Sequence, residues 1–333
     1  MGFQKIKENA ISTWKESQHS EKTRILIGMG TCGKAAGAED ILEVLQGEVK
    51  RLNLQTDIIQ VGCIGLCYAE PLIEIIKPGM PSIFYGNCTP EHVSTIINNY
   101  LIGSDPCPEL ALGMRGEGTL EGIPQLFNQP TLKHQVRISL RNCGNVDPES
   151  LDHYIANGGY TGLQLVLTLS PQEVINKIKT SGLRGRGGAG FSTGLKWQFC
   201  LDTPGSEKYF ICNADEGDPG AFMDRALLES DPHAVLEGLL IGAYAIKASK
   251  GYIYIRAEYP NAIKRLRIAL EQMRMAGLLG ENIMHSGFCF DIHIKEGAGA
   301  FVCGEETALI ASIQGKRGMP RSKPPFPAQS GLW

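Results

Sequence analysis

Apolar and polar positions alternate along this chain in two distinguishable blocks. Residues 1–22 are polar and predict a short helix or a loose arm. From Thr23 the pattern changes. Arg24–Met29 is a short apolar run that reads as a strand. Ala36–Leu52 has helical periodicity with its charges on one face. Asp57–Val61, Leu72–Ile76 and Ser82–Tyr85, rich in Ile and aromatics, read as strands. Thr89 is placed to cap a helix with Pro90 in its first turn, running to about Leu101. The order β-α-β-β-β-α over residues 23–103 suits a small α/β domain of about 80 residues.

Residues 104–133 are rich in Gly, Pro and polar residues and predict a linker. A second domain, 134–333, is expected to open with the strand-like run Gln135–Leu140. Pro148–Asn157 and Pro171–Thr180 predict helices. Beyond them come a strand Tyr209–Cys212, a helix Pro232–Ala248, a strand Gly251–Arg256, a helix Asn261–Met275 and a strand Phe290–Lys295. Alternating helices and strands predict an α/β sandwich about a central sheet.

Composition narrows the classes. A formal charge of −3 gives no sign of a nucleic-acid partner. No apolar run approaches the roughly 18 residues of a membrane helix, and the charged N-terminus has no signal-peptide core, so a cytoplasmic location is expected. Ten cysteines in 333 residues do not form the pattern of a secreted disulfide scaffold. The 40 glycines matter more, because they cluster.

The densest cluster is Ser181–Trp197, SGLRGRGGAGFSTGLKW. It contains G-x-G-x-x-G at Gly185, Gly187 and Gly190. The dinucleotide fingerprint needs a strand before it, whereas Pro171–Thr180 reads as a helix, so a standard Rossmann site is rejected. Walker A is absent because Lys196 is not followed by Ser or Thr. What remains is bare backbone able to point N–H groups at a phosphate or a flat ring, with Arg184, Arg186 and Lys196 supplying charge and Phe191, Trp197 and Phe199 supplying aromatic faces. Asn213–Gly220 (NADEGDPG) puts carboxylates at a strand end, where they can accept hydrogen bonds from sugar-type hydroxyls. In Gly297–Thr307 (GAGAFVCGEET) a glycine-rich turn leads into a helix. Capping accounts for one of Glu305 and Glu306, which leaves the other to face a ligand. Lys316–Phe326 is a basic, proline-stiffened run that suits a fixed phosphate-binding edge.

These four motifs, in this order, resemble the NADH-binding flavoprotein subunit of respiratory complex I and its relatives in NAD(P)-reducing hydrogenases and NAD-dependent formate dehydrogenases. The resemblance covers roughly Arg137 to Trp333. It implies FMN near Gly185, Arg186, Gly187, Gly188, Gly190, Lys196, Asn213, Asp215, Glu216, Gly304 and Glu305. It implies an NAD(H) cleft bordered by Phe191, Phe199, Asp218, Phe301, Glu306, Lys323 and Phe326. Family members often carry Glu where Asp218 stands and Tyr where Phe301 stands. The implied activity is diaphorase chemistry, hydride exchange between NADH and FMN, in which the flavin does the work and no side chain need act as acid or base.

Residues 23–103, with GTCGKAAGA at Gly30–Ala38 and VGCIGLCYAEP at Val61–Pro71, are similar to the thioredoxin-like 2Fe–2S ferredoxin domain often fused to such subunits. Such a cluster takes four thiolates. Cys32, Cys63 and Cys67 match three of them, and no cysteine precedes Gly30 to supply the first. Either another residue completes the set or the domain is a cluster-free docking module. The family's ubiquitin-like domain and its helical domain with a 4Fe–4S cluster are not seen in this sequence. The expected partners are electron-transfer subunits of hydrogenase, formate dehydrogenase or complex-I type. A different reading is a non-catalytic assembly module or a fragment with an incomplete flavin site.

Overall fold

The computed structural model describes residues 2–205 and 207–333. It divides into two compact units: Asn9–Tyr154 together with Glu229–Asp231, and Ile155–Leu228 with Pro232–Trp333 and the stretch up to Glu8. Among the described residues no helix is long and apolar enough to cross a membrane.

The first unit takes in helix α1 (Phe3–Gln18) from Asn9 onward and holds β1 (Thr23–Gly28), α2 (Thr31–Ala35), α3 (Ala38–Arg51), β2 (Thr56–Val61), β3 (Ile73–Ile76), β4 (Ser82–Tyr85), α4 (Pro90–Ile96) and β5 (Ala111–Arg115). The sheet order is β2-β1-β3-β4-β5. β1 and β2 run parallel, with Ile25 opposite Ile58, and the remaining pairs are antiparallel. One parallel pair followed by an antiparallel hairpin is the thioredoxin-like arrangement. Thr89 caps α4 through its side chain, and the helix continues as a π-turn over Ile97–Ile102.

Strand alternation sends Ile25, Ile27, Ile73, Ile75, Ile83 and Tyr85 to one face, against Ile41, Leu45, Val93 and Ile96 of the helices. The other face, with Leu72 and Phe84, is covered by Leu126 and Leu132. Both latter residues, and β5, fall in the stretch 104–133 read as a linker. That reading is corrected: β5 pairs with β4 (Ile83 opposite Met114), and the turns after it close the second core. Glycine and proline shape turns here without freeing the chain.

The expected strand Gln135–Leu140 is also absent. Its segment is irregular, with Val136 and Ile138 exposed. Arg137 turns inward instead, donating to the Ile64 carbonyl at 2.6 Å and lying over the Phe127 ring. The alternation of VRISL is real, but no sheet edge receives it.

The second unit contains α6 (Thr161–Val166), α7 (Pro171–Ser181), α8 (Thr193–Asp202), β6 (Tyr209–Ala214), α10 (Pro232–Ile246), β7 (Lys250–Arg256), α11 (Pro260–Met275), β8 (Asp291–Gly297) and α12 (Glu306–Ile313); α5 (Leu151–Ala156) and α9 (Met223–Ser230) each run across a unit boundary. β6, β7 and β8 form a parallel sheet in that order, with helices in the crossovers. A capping box at Ser170 and Glu173 starts α7, and Gly182 ends it at φ +70°. α7 and α8 pack so closely that a Cβ on Gly194 would stand 2.6 Å from Lys179 Cγ and 2.8 Å from its backbone nitrogen.

Candidate functional site

In the second unit the glycine segment forms a hairpin loop between α7 and α8. Gly185 N–H donates to Phe191 O at 2.9 Å and Thr193 N–H to Leu183 O at 3.0 Å, closing its base. Its tip is open: a Cβ on Gly187 or Gly188 would meet nothing within 4 Å, and Gly188 and Gly190 take φ of +99° and +62°. The tip therefore presents backbone without side-chain cover, the surface a phosphate or ring can approach. Phe191 and Phe199 sit 6.4 Å apart, each about half exposed.

α8 carries Lys196 to the turn before α12. Lys196 Nζ lies 2.9 Å from Glu306 Oε2, and Lys323 Nζ lies 2.6 Å from Glu306 Oε1 and 3.2 Å from Glu305 Oε1. The two glutamates have separate roles. Glu305 is the N-cap of α12, where Oε2 accepts from Thr307 N–H at 2.8 Å and Ala308 N–H at 3.1 Å. Glu306 faces the two lysines. Burial opposes its ionisation, but hydrogen bonds from Lys323 and Lys196 outweigh it and hold the carboxyl below its ordinary value.

The end of β6 joins the same turn. Asn213 Nδ2 donates to Gly304 O at 2.9 Å, and Asn213 Oδ1 accepts from Asp215 N–H at 3.1 Å. A Cβ on Gly304 would lie 3.6 Å from Asp215 O, an ordinary contact distance, so the two strand-end turns stand side by side here. Asp215 is 7% exposed, yet neither carboxylate oxygen has a hydrogen-bond partner among the described residues. Burial raises its pKa, and Arg256 lowers it by less. A buried carboxylate without donors carries an uncompensated desolvation penalty, and a polar ligand would relieve it.

Glu216 is committed elsewhere. Its oxygens accept from Asp224 N–H at 3.1 Å and Arg225 N–H at 3.2 Å, capping the start of α9. It shapes the loop after β6. Phe301 packs on that loop, 3.0 Å from where a Gly217 Cβ would be, with most of its ring exposed. Arg186, Asp218 and Phe326 are exposed. Residues of all four sequence motifs are thus linked through Lys196, Asn213, Glu305, Glu306 and Lys323.

Beside this network lies a cavity of about 500 Å³, bounded by Lys196, Trp197, Asn213, Glu306, Leu309 and Trp333. Its size is in the range of small-molecule sites. Trp333 stands 5.6 Å from Tyr209 and 6.0 Å from Tyr252. Sequence reading did not single out Tyr209 or Trp333. An aromatic at the start of a strand facing a proline-stiffened segment was the available signal.

In the first unit Cys32, on α2, meets Cys63 and Cys67 from the turn after β2. Their sulfurs lie within 4.8 Å of one another, and Cys63 and Cys67 are 3.7 Å apart. Gly65 N–H donates to Cys63 Sγ at 3.2 Å. The hydrogen bond with Cys63 pulls the Cys32 thiol down to about 6, and the same pairing pushes Cys63 up. Glu70, missed in the sequence, closes the group: Oε1 lies 3.8 Å from Cys32 Sγ, and Oε2 accepts from Leu72 N–H at 3.0 Å. Burial, then the charge of Cys32, pushes its carboxyl up to about 8.

Residues 178–333 match the family described as the Nuo51 FMN-binding domain. Over 203 residues the chain is 64% identical to HndC, a component of the NADP-reducing hydrogenase of Solidesulfovibrio fructosivorans, covering 61% of this chain and 41% of that protein. Over 211 residues it is 50% identical to the F component of the NADH-quinone oxidoreductase of Aquifex aeolicus, covering 63% and 48%. The matches span less than half the length of these relatives. Among solved structures, an NAD+-reducing [NiFe]-hydrogenase in the H2-reduced state aligns with a TM-score of 0.48 at 26% identity, covering 98% of this chain and 52% of that one.

Proposed function

We propose that the second unit binds FMN and NAD(H), and that the chain is the diaphorase part of a larger electron-transfer assembly. The observation that carries this reading is Asp215, a buried carboxylate with no donor, set at a glycine junction beside paired lysines and an open glycine loop. That donor set suits a flavin mononucleotide, which offers hydroxyls for Asp215 and Asn213, a phosphate for backbone N–H groups, and a flat ring for the glycine surface. When bound, the flavin supplies the redox chemistry, taking or giving a hydride at a nicotinamide and exchanging single electrons with clusters.

The chain's own residues do the positioning. Glu305 and Glu216 fix the turns that carry Glu306 and Asp215, and Lys196 and Lys323 set the local charge. Phe191, Phe199 and Phe301 offer exposed rings on which a nicotinamide dinucleotide can stack, with Arg186, Asp218 and Phe326 at the cleft's margin. The names of the relatives, a subunit of an NADP-reducing hydrogenase and a subunit of an NADH-quinone oxidoreductase, support partner subunits in an electron-transfer assembly; iron–sulfur subunits of hydrogenase, formate dehydrogenase or complex-I type are the partners this reading expects. A cytoplasmic location accords with this reading.

The test is direct. Purified chain is titrated with FMN, and flavin fluorescence is followed; NADH is then added without oxygen. Tight binding and loss of the flavin absorption band on NADH addition are expected. Lys196→Ala weakens flavin binding roughly 10-fold through the lost charge. A chain that takes up no flavin refutes the proposal.

A further inference from the structure

Cys32, Cys63 and Cys67 bring three sulfurs within 4.8 Å of one another in the first unit, and Glu70 Oε1 stands 3.8 Å from Cys32 Sγ. A tetrahedral zinc site with Zn–S of about 2.3 Å and Zn–O of about 2.0 Å sets sulfurs about 3.8 Å apart and an oxygen about 3.5 Å from a sulfur. Cys63 and Cys67 are 3.7 Å apart, and Glu70 Oε1 is 3.8 Å from Cys32 Sγ. The third sulfur also stays close, since all three lie within 4.8 Å.

A two-iron cluster asks for something else. It divides four terminal ligands between two irons, so ligands on opposite irons stand about 6 Å apart across the bridging sulfides. Three sulfurs split at best two and one, which requires one of them to stand off from the other pair. None does.

A carboxylate stands beside Cys32 as a candidate fourth ligand. A Cβ on Gly28 would stand 2.9 Å from Glu70 Oε2 and 3.0 Å from Oε1. Glu70 therefore fills the space that a side chain from the end of β1 would enter. Its two oxygens have separate roles: Oε2 is anchored by Leu72 N–H and Oε1 faces the thiols. Anchoring one oxygen orients the other, as outer partners do for metal-bound carboxylates. The Gly65 N–H on Cys63 Sγ supplies the same kind of support to a thiolate.

We propose that Cys32, Cys63, Cys67 and Glu70 form a closed tetrahedral site for one divalent ion, Zn2+, in place of the two-iron cluster that the resemblance implied. Three thiolate sulfurs select a soft ion, and a full set of four protein ligands leaves no open position for substrate. Ligands bind as thiolates and carboxylate, so any protons they hold are released on binding, and the 2+ ion offsets half of their four negative charges. The site ties α2 to the turn after β2, so its role is structural, independent of the flavin proposal.

The full chain, purified after growth with zinc and iron both supplied, is assayed for metal and acid-labile sulfide, then stripped and reloaded with Co2+. One zinc per chain without sulfide is expected, and cobalt gives the intense visible bands of a tetrahedral thiolate site. Glu70→Gln, which keeps the shape and the Leu72 bond, lowers cobalt affinity at least about 10-fold. Cys32→Ser does the same. Flavin content is measured on each variant and stays at the parental level, so a failure here is separable from a failure of the flavin proposal. Two irons with two sulfides per chain overturn the proposal. So does the absence of stoichiometric metal, or a Glu70→Gln variant that binds cobalt as tightly and with the same bands as the parent.

Discussion

Asp215→Asn separates binding from stability in one substitution. The side chain is 7% exposed, and both carboxylate oxygens lack donors. A hydrogen bond to a charged group is worth about 1.5–3 kcal/mol, so losing one such bond to a bound flavin weakens binding about 10- to 150-fold. In the ligand-free chain the effect reverses. Replacing an uncompensated buried charge with a neutral amide of the same shape recovers about 1 kcal/mol, because the amide still lacks partners but sheds the larger charge penalty. For a unit of this size that is a rise of about 2–4 °C in melting temperature. The pH dependence fixes the sign. Burial raises the folded-state pKa of Asp215. The neutral carboxyl's contribution to stability is complete below the ordinary carboxyl value of about 3.9 and is lost as pH rises through the raised one. The variant's advantage is therefore present at neutral pH and closes as the pH falls toward about 4. Flavin fluorescence titration and thermal melts of both proteins, with and without FMN, give every quantity. A variant that binds flavin like the parent and melts at or below it refutes the reasoning.

Two further outcomes follow from buried polar groups. Arg115 pairs with Glu74, itself 1% exposed, at 2.7 and 2.9 Å across the sheet, so Arg115→Met strands a buried carboxylate and destabilises the first unit by about 3–5 kcal/mol; the double variant with Glu74→Met recovers most of it in denaturant melts. His233 hydrogen-bonds Tyr160 Oη at 2.8 Å and Gln272 Oε1 at 3.0 Å, and burial lowers its pKa to about 4. Its contribution to stability is complete above about 6.5 and is lost as the pH falls through about 4, which NMR titration of the ring and melts across that range will show.

How much of this was legible in the sequence varied with the kind of signal. Strands such as Ser82–Tyr85 and the Thr89 cap are local, because alternation and capping chemistry act within a few residues. β5 is not local: ALGMR sits among turn formers, and only the waiting edge of β4 makes it a strand. The VRISL run shows the converse, a strand pattern with no edge to join. In the site, the glycine loop and the acidic strand end could be read directly. Which acid caps a helix and which does not could not, since Glu216 and Glu305 differ from Asp215 and Glu306 only in where their helices begin. Glu70 was hidden because its meaning depends on Gly28, forty-two positions earlier in the chain.

Glu229–Asp231 cluster with the first unit although they lie far along the chain. Thr31 N–H donates to Glu229 at 2.8 Å, Asn142 Nδ2 donates to Asp231 at 2.7 Å, and Gly62 has no Cβ because one would overlap Ser230. On the ribosome this matters as a question of order. The 77 residues between Tyr154 and Asp231 take about 4–15 s to synthesise at 5–20 residues per second. During that interval the nascent first unit holds its sheet but lacks its last three residues. It is completed only when a much later stretch of the chain emerges, so the N-terminal half matures on a schedule set by the half that follows it.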